Sequence, residues 1–178
     1  YYVINRDYRV YICLNNGASL LSNGNEGVIS VNEPVHTSES PELEDDGYVW
    51  KYLYTISPSD ALKIDSTNYI SVPNNWATST DAEISRIRDA AVNGKIETIL
   101  VESSQPYLIP STTSIINDVP IVGDGTGGLA SVTFDSQGRP TKVTVTNGGS
   151  GYTFATLNLD SIVSPQTNKS IFNVIIPP

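Results

Sequence analysis

Residues 46–58 read Asp-Gly-Tyr-Val-Trp-Lys-Tyr-Leu-Tyr-Thr-Ile-Ser-Pro, and this run constrains the fold more than any other. Tyr48, Trp50, Tyr52, Tyr54 and Ile56 alternate with Val49, Lys51, Leu53 and Thr55. A strand repeats its side-chain direction every two residues, so the aromatic set is expected to line one face. Aromatic and β-branched side chains suit a pleated, half-buried surface. Asp46-Gly47 predicts a turn before the strand, and Ser57-Pro58 stops it, because proline has no N–H for the ladder. Burying each ring contributes on the order of 2–3 kcal/mol. The strand is therefore expected to form the centre of the core, and Trp76 to cover its edge.

The rest of the chain reads as mainly β (antiparallel sheets or a sandwich) with one short α-helix near residues 80–93. Tyr8, Val10, Ile12 and Leu14 alternate with Arg9, Tyr11 and Cys13, which predicts a strand with the first set on one face. Tyr1 to Ile4 is a candidate strand beside it. Asn15-Asn16-Gly17 signals a turn. Residues 17–47 show no sustained period and predict a long surface loop, with a candidate short strand at Gly27–Val31. Ser57-Pro58-Ser59-Asp60 is a helix start or turn, and Asn68–Val72 a short strand. Thr80-Asp81-Ala82-Glu83 has the form of a capping box, with Thr80 as the cap. Ala82, Ile84, Ile87 and Ala91 make a helical apolar stripe, and Asn93-Gly94 supplies a left-handed stop.

From Gly94 onward the pattern is β, and it carries a loose internal repeat. Gly94 to Ser104 leads to Pro106-Tyr107, and Gly138 to Gly148 leads to Gly151-Tyr152. Each copy is a glycine turn, a basic residue, an alternating strand, a turn and a tyrosine. Each is expected to continue into an apolar strand, Ile115 to Val122 and Ile171 to Ile176. The expected domains are residues 1–76, and a helical linker plus repeat region over 77–178.

The chemistry-bearing residues point away from a reaction centre. The formal charge is −9 and the pI about 4.4. Nucleic-acid binding needs clustered Lys and Arg, which are absent, and an anionic membrane surface would repel the chain. No run approaches the roughly 20 apolar residues of a membrane span. The start YYVINRDYRVY lacks the basic and apolar regions of a signal peptide. With no methionine anywhere, the sequence is expected to be a fragment, a processed product or part of a longer chain. Cys13 is the one cysteine. It permits no internal disulfide and is expected as a packed thiol. His36, the one histidine, lies in the polar loop and is expected at the surface without an acid or metal partner. Glu39, Glu42, Glu44, Asp45 and Asp46 are dense enough to suggest calcium, but the spacing of an EF-hand loop is missing, so a solvated acidic loop is expected. Glu83, Arg86 and Asp89 have the spacing of surface ion pairs on a helix. Gly123, Gly125 and Gly128 spell GxGxxG. Leu129 to Phe134 after them alternates as a strand, whereas a pyrophosphate site needs a helix N-terminus there. No catalytic, cofactor-binding or metal-ligating residue is expected, and the chain reads as a non-enzyme.

Asp46 to Pro58, followed by Asn68-Tyr69-Ile70-Ser71-Val72-Pro73, resembles the baseplate wedge protein of T4-like contractile-tailed phages, the gene-eight product type, and its cyanophage relatives. Tyr8 to Asn16 adds to the likeness, which covers roughly the first half of the chain. Ser71 stands where that family often has proline. The second half is similar to glycine-rich β-repeats of phage structural proteins, through Gly123-Asp124-Gly125-Thr126-Gly127-Gly128 and Asn147-Gly148-Gly149-Ser150-Gly151-Tyr152-Thr153. The resemblance implies a virion component of the tail baseplate, assembled in the host bacterial cytoplasm. It implies a homodimer within a larger assembly of wedge proteins, and a further region ahead of the matched part. The alternative is a receptor- or glycan-binding tail module, in which exposed rings would stack on sugars. A polysaccharide depolymerase would instead need a carboxylate cleft.

Overall fold

The computed structural model describes residues 1–16, 29–63, 69–109 and 114–177. Strand makes up 42% and helix 12%, all strand pairs are antiparallel, and the mainly-β class with a short helix is the one found. The chain divides into two compact units, with the division between Ala91 and Val92.

The first unit holds strands β1 (Tyr2–Ile4), β2 (Arg9–Asn16), β3 (Glu42–Leu43) and β4 (Tyr48–Thr55), in the order β1-β2-β4-β3. The candidate strand at the start is thus real and pairs with β2. Gly47 adopts φ +86 in the tight turn between β3 and β4, a conformation that favours glycine. The strand β3 falls inside the expected acidic loop, where its two residues gave too short a pattern to read. Residues 29–31 form no strand, and the remainder of the one expected at 27–31 lies outside the described residues. After β4, Ser57 caps the single-turn helix α1 (Pro58–Ala61) by accepting from the Asp60 N–H. Residues 69–72 join no ladder, contrary to the expected strand at 68–72, of which Asn68 lies outside the described residues. Hydrogen bonds from Tyr54 Oη to the Ser71 carbonyl and from Ser71 Oγ to the Asp60 carbonyl hold this segment instead.

The aromatic row of β4 does not line one face throughout. Tyr54 pairs with Val10, whereas Tyr52 pairs with Tyr11, so Leu53 is an extra residue opposite the Val10–Tyr11 link. Such a bulge breaks the two-residue rhythm. The row splits into one cluster of Tyr11, Trp50, Tyr52 and Ile87 and another of Val10, Tyr54 and Ile56. Both Val10 and Tyr11 are buried, so the one-sided reading of β2 fails for the same reason. Tyr8 lies before the strand at φ +60 and is half exposed. Trp76 packs against both clusters, edge-on to Tyr54 at 6.0 Å between ring centroids.

The helix α2 (Ala82–Ala90) belongs to the first unit and is no linker, because Ile87 is buried among Tyr11, Trp50 and Tyr52. The expected boundary at 76 therefore moves to 91. The cap is also one residue later than expected. Asp81 Oδ1 accepts from the Glu83 and Ile84 N–H groups, at 3.0 and 3.1 Å. A carboxylate there also suits the positive end of the helix. The helix stops with Ala91 extended at ψ 127°, so Gly94 is not its terminator.

The second unit holds β5 (Thr98–Ser103), β6 (Ile115–Gly123), β7 (Thr126–Phe134), β8 (Pro140–Ser150), β9 (Ala155–Leu157) and β10 (Ile171–Ile175). A two-stranded sheet β10-β5 and a four-stranded sheet β8-β7-β6-β9 enclose one core. β5 lies beside β8 and β10 beside β9, so the six strands close a ring, β5-β8-β7-β6-β9-β10. Among the described residues no ladder joins β5 to β8 or β9 to β10, so the ring is one of packing between two sheets and not a closed hydrogen-bonded barrel. Ile96, Val119, Ala130 and Val132 at its centre have no exposed surface. This cluster is larger than either cluster of the first unit, so the β4 aromatics centre one core and not the whole chain.

Candidate functional site

The loop ahead of β4 gathers most of the residues singled out in the sequence; Glu39, Glu42 and Asp45 are exposed, as expected of a solvated acidic loop, while Asp46 and His36 are tied into the fold. Asp46 is the hub. Its Oδ2 accepts from Ser30 Oγ, Val31 N and Asn32 N at 3.0, 2.8 and 3.1 Å, and its Oδ1 from Tyr48 N at 3.1 Å. Burial pushes this carboxyl up, but the four hydrogen bonds outweigh it and hold the pKa at about 2. Glu39 meets Arg86 Nη1 at 3.1 Å, and Arg86 also donates to the Thr37 carbonyl. The Glu83–Arg86–Asp89 spacing is thus not used as a helix-surface array. Arg86 reaches 47 residues back, while Asp89 pairs with Arg88 Nε at 2.9 Å. Among the described residues no three His, Cys, Asp or Glu side chains converge to hold a metal ion.

His36 is the clearest correction. Its side chain is only 8% exposed, so it is not a surface residue, and it has an acidic neighbour. The ring packs edge-on to Tyr11 with centroids 5.4 Å apart. Nε2 lies 3.2 Å from the Trp50 carbonyl, which makes Nε2–H the donor in the neutral ring. Nδ1 faces Glu42 Oε1 at 3.7 Å, beyond hydrogen-bond reach. Tyr11 Oη donates to the His36 carbonyl at 2.8 Å. The histidine therefore stitches the loop to β2 and β4. No sequence signal marked this, since one histidine among Pro, Val and Thr has no period.

A cavity of about 620 Å³ opens on the first unit, lined in part by Val3, Arg6, Cys13, Glu33, Tyr48 and Trp50. One wall is the stacked pair Tyr48 and Trp50, 5.4 Å apart and 14° from parallel. Arg6 is taken up by Glu33, through Nε–Oε2 at 3.2 Å and the backbone N–H to Oε1 at 2.9 Å. Burial pushes the Cys13 thiol up, and its Sγ contacts the Asn15 carbonyl at 3.1 Å. Burial of this kind disfavours the thiolate, and the side chain packs beside Tyr11, Trp50 and Tyr52 as the packed thiol expected. Among the described residues, the cavity offers an aromatic wall and an internally paired charge.

In the second unit the GxGxxG residues sit in the β6–β7 hairpin. A strand follows them and no helix N-terminus is present to hold a phosphate. Their partner is Tyr152. Tyr152 Oη donates to the Ile121 carbonyl at 3.2 Å and accepts from Gly128 N–H at 3.0 Å. Asp124 accepts from Thr153 Oγ1, Thr153 N and Phe154 N, which hold its carboxyl at about 2.

These two depressed carboxyls contribute to the acid limb of stability, as does Asp60, which Lys63 and Ser57 hold below the ordinary range. Each folded-state pKa lies below the ordinary 3.8, so the stabilisation is complete above about pH 4 and is lost as pH falls toward 2. Thermal melts between pH 5 and pH 2.5 are expected to show this decline. Asp46→Asn is expected to flatten it in the first unit and Asp124→Asn in the second. Unchanged acid slopes in both variants would contradict the assignment.

No protein-family model, curated protein or solved structure matches this chain.

Proposed function

We propose that the chain is a non-enzymatic structural component of a contractile phage tail, a baseplate wedge element that acts through protein–protein interfaces. The observation that carries the reading is the run Asp46 to Pro58, which resembles the wedge family and supplies the central strand of the first unit. Its rings build a core, as suits a scaffold. The outer surface fits the same role. Ile29 is 87% exposed, Val31 80% and Leu43 60%, on segments that Asp46 and β4 pin in place. Exposed apolar side chains on a fixed loop favour burial against a neighbouring subunit, with little ordering cost. The partners proposed are other wedge proteins and a second copy of the chain, in the virion tail.

Burial weakens the glycan-binding alternative. Tyr11 and Tyr52 have no exposed surface and Trp50 is 3% exposed, so these rings offer little face for stacking, whereas Tyr1, Tyr2, Tyr8 and Tyr69 are exposed and are the rings the alternative would have to use. Immunogold labelling of purified virions with an antibody to the chain tests the proposal. Gold at the baseplate end of the tail is expected. Gold on detachable fibres would favour the adhesin, and unlabelled particles would overturn both.

A further inference from the structure

We propose that the second unit is an internal dimer, in which two interleaved three-stranded halves, residues 94–134 and 138–177, are each other's docking partners. This goes beyond the baseplate reading and does not rest on it. The ring order β5-β8-β7-β6-β9-β10 maps onto itself when β5 exchanges with β8, β6 with β9 and β7 with β10. The first half contributes β5, β6 and β7 and the second β8, β9 and β10, in the same chain order. The repeat in sequence therefore matches β10 to β7, not to the Ile115–Val122 strand that the sequence suggested.

The clasp between the halves is reciprocal. Tyr152 N–H donates to the Gly94 carbonyl at 3.1 Å, and Tyr107 N–H donates to the Gly138 carbonyl at 2.9 Å. Each glycine of one copy thus holds the tyrosine of the other. Both glycines have positive φ, +64 and +74. A Cβ on Gly94 would lie 2.4 Å from Tyr152 N, and one on Gly138 2.5 Å from the Tyr107 carbonyl oxygen. The side chains cross as well. Tyr107 Oη accepts from Ser170 N–H in the second half, and Tyr152 Oη meets Gly128 and Ile121 in the first. Equivalent inward positions are filled in both copies, by Ile96 and Pro140 and by Ile99 and Val143.

Among the described residues, three of the four strand ladders of the second unit cross between the halves, β5–β10, β6–β9 and β7–β8, and β6–β7 lies within the first. The ladder of β5 is with β10 and that of β8 is with β7, so neither strand pairs within its own half. A half by itself would leave these backbone groups and its share of the core unsatisfied. Two such halves need each other more than they need the covalent link between them. That link is the turn from Asp135 to Gly138, where Asp135 Oδ1 accepts from Gln137 and Arg139 N–H groups, and Ser136 and Gln137 are exposed.

The test is a protease site inserted between Ser136 and Gln137 of the full chain, cut after folding. The two pieces are expected to co-elute as one particle and to recover the native circular dichroism after unfolding and refolding together. Pieces that separate on cutting, or second-unit residues that keep slow amide exchange in either piece when it is isolated, would overturn the proposal. If the insertion prevents folding, Tyr107→Phe and Tyr152→Phe decide through amide hydrogen exchange. Tyr107→Phe is expected to speed exchange at Ser170 about tenfold, and Tyr152→Phe at Gly128, each in the opposite half. Effects confined to each tyrosine's own half would contradict the reciprocal clasp.

Discussion

Tyr152→Ala is expected to destabilise the second unit by about 3–5 kcal/mol, the range for removing a buried ring. The ring is 3% exposed and sits in a cage of glycines. A Cβ on Gly125 would lie 2.5 Å from its Cγ, one on Gly149 2.8 Å from its Cε2, and one on Gly128 2.9 Å from its hydroxyl. Alanine would leave a hole with mostly backbone around it, and backbone closes such holes poorly. Tyr152→Phe separates packing from hydrogen bonding. It keeps the ring but strands the Gly128 N–H and the Ile121 carbonyl, which costs about 1–3 kcal/mol. Gly125→Ala is expected to resemble Tyr152→Ala, since no flexible side chain can move aside. Hydrogen exchange at the buried Val119, Ala130 and Val132 amides reads each loss. A Tyr152→Ala protein with wild-type protection at these amides would show that the glycine cage contributes nothing.

Trp50→Ala is expected to cost the first unit a similar 3–5 kcal/mol. Trp50 stacks on Tyr48, lies in register with Cys13 and packs in one cluster with Tyr11, Tyr52 and Ile87. Its loss also removes the wall against which α2 sets Ile87, so the helix is expected to loosen. Leu53→Ala, at the bulge on the same strand, is expected to cost far less, because Leu53 is only half-buried. Emission from the remaining Trp76, with exchange at Val10 and Tyr11, follows the change. Equal costs at positions 50 and 53 would mean that the strand is held by its backbone ladder and not by its rings.

How far the sequence alone carried varies with the range of the cause. The strand β4, the stop at Ser57-Pro58 and the β character after Gly94 were legible, because local pattern and proline chemistry decide them. The Leu53 bulge was not, since it depends on β2 lying opposite. Asp81 replaced Thr80 as cap because both residue types serve and their spacing to the helix differs by one. Asp46 looked like one acidic residue among five. Its role as hub needs residues 30–32 brought beside it by the fold. The same holds for His36, whose partners Trp50 and Glu42 come from two strands. The glycine–tyrosine repeat was visible, but each glycine serves the other copy's tyrosine, and no linear pattern contains that exchange.

The central claim, a tail component built from two β units, is tested most directly by quantitative mass spectrometry of virions fractionated into heads, tail tubes and baseplates. Tryptic peptides 52–63 and 143–169 report the first and second units separately. The account predicts both peptides in the baseplate fraction, in equal amounts and at several copies per particle. Their absence from virions, or confinement to detachable fibres, would contradict it.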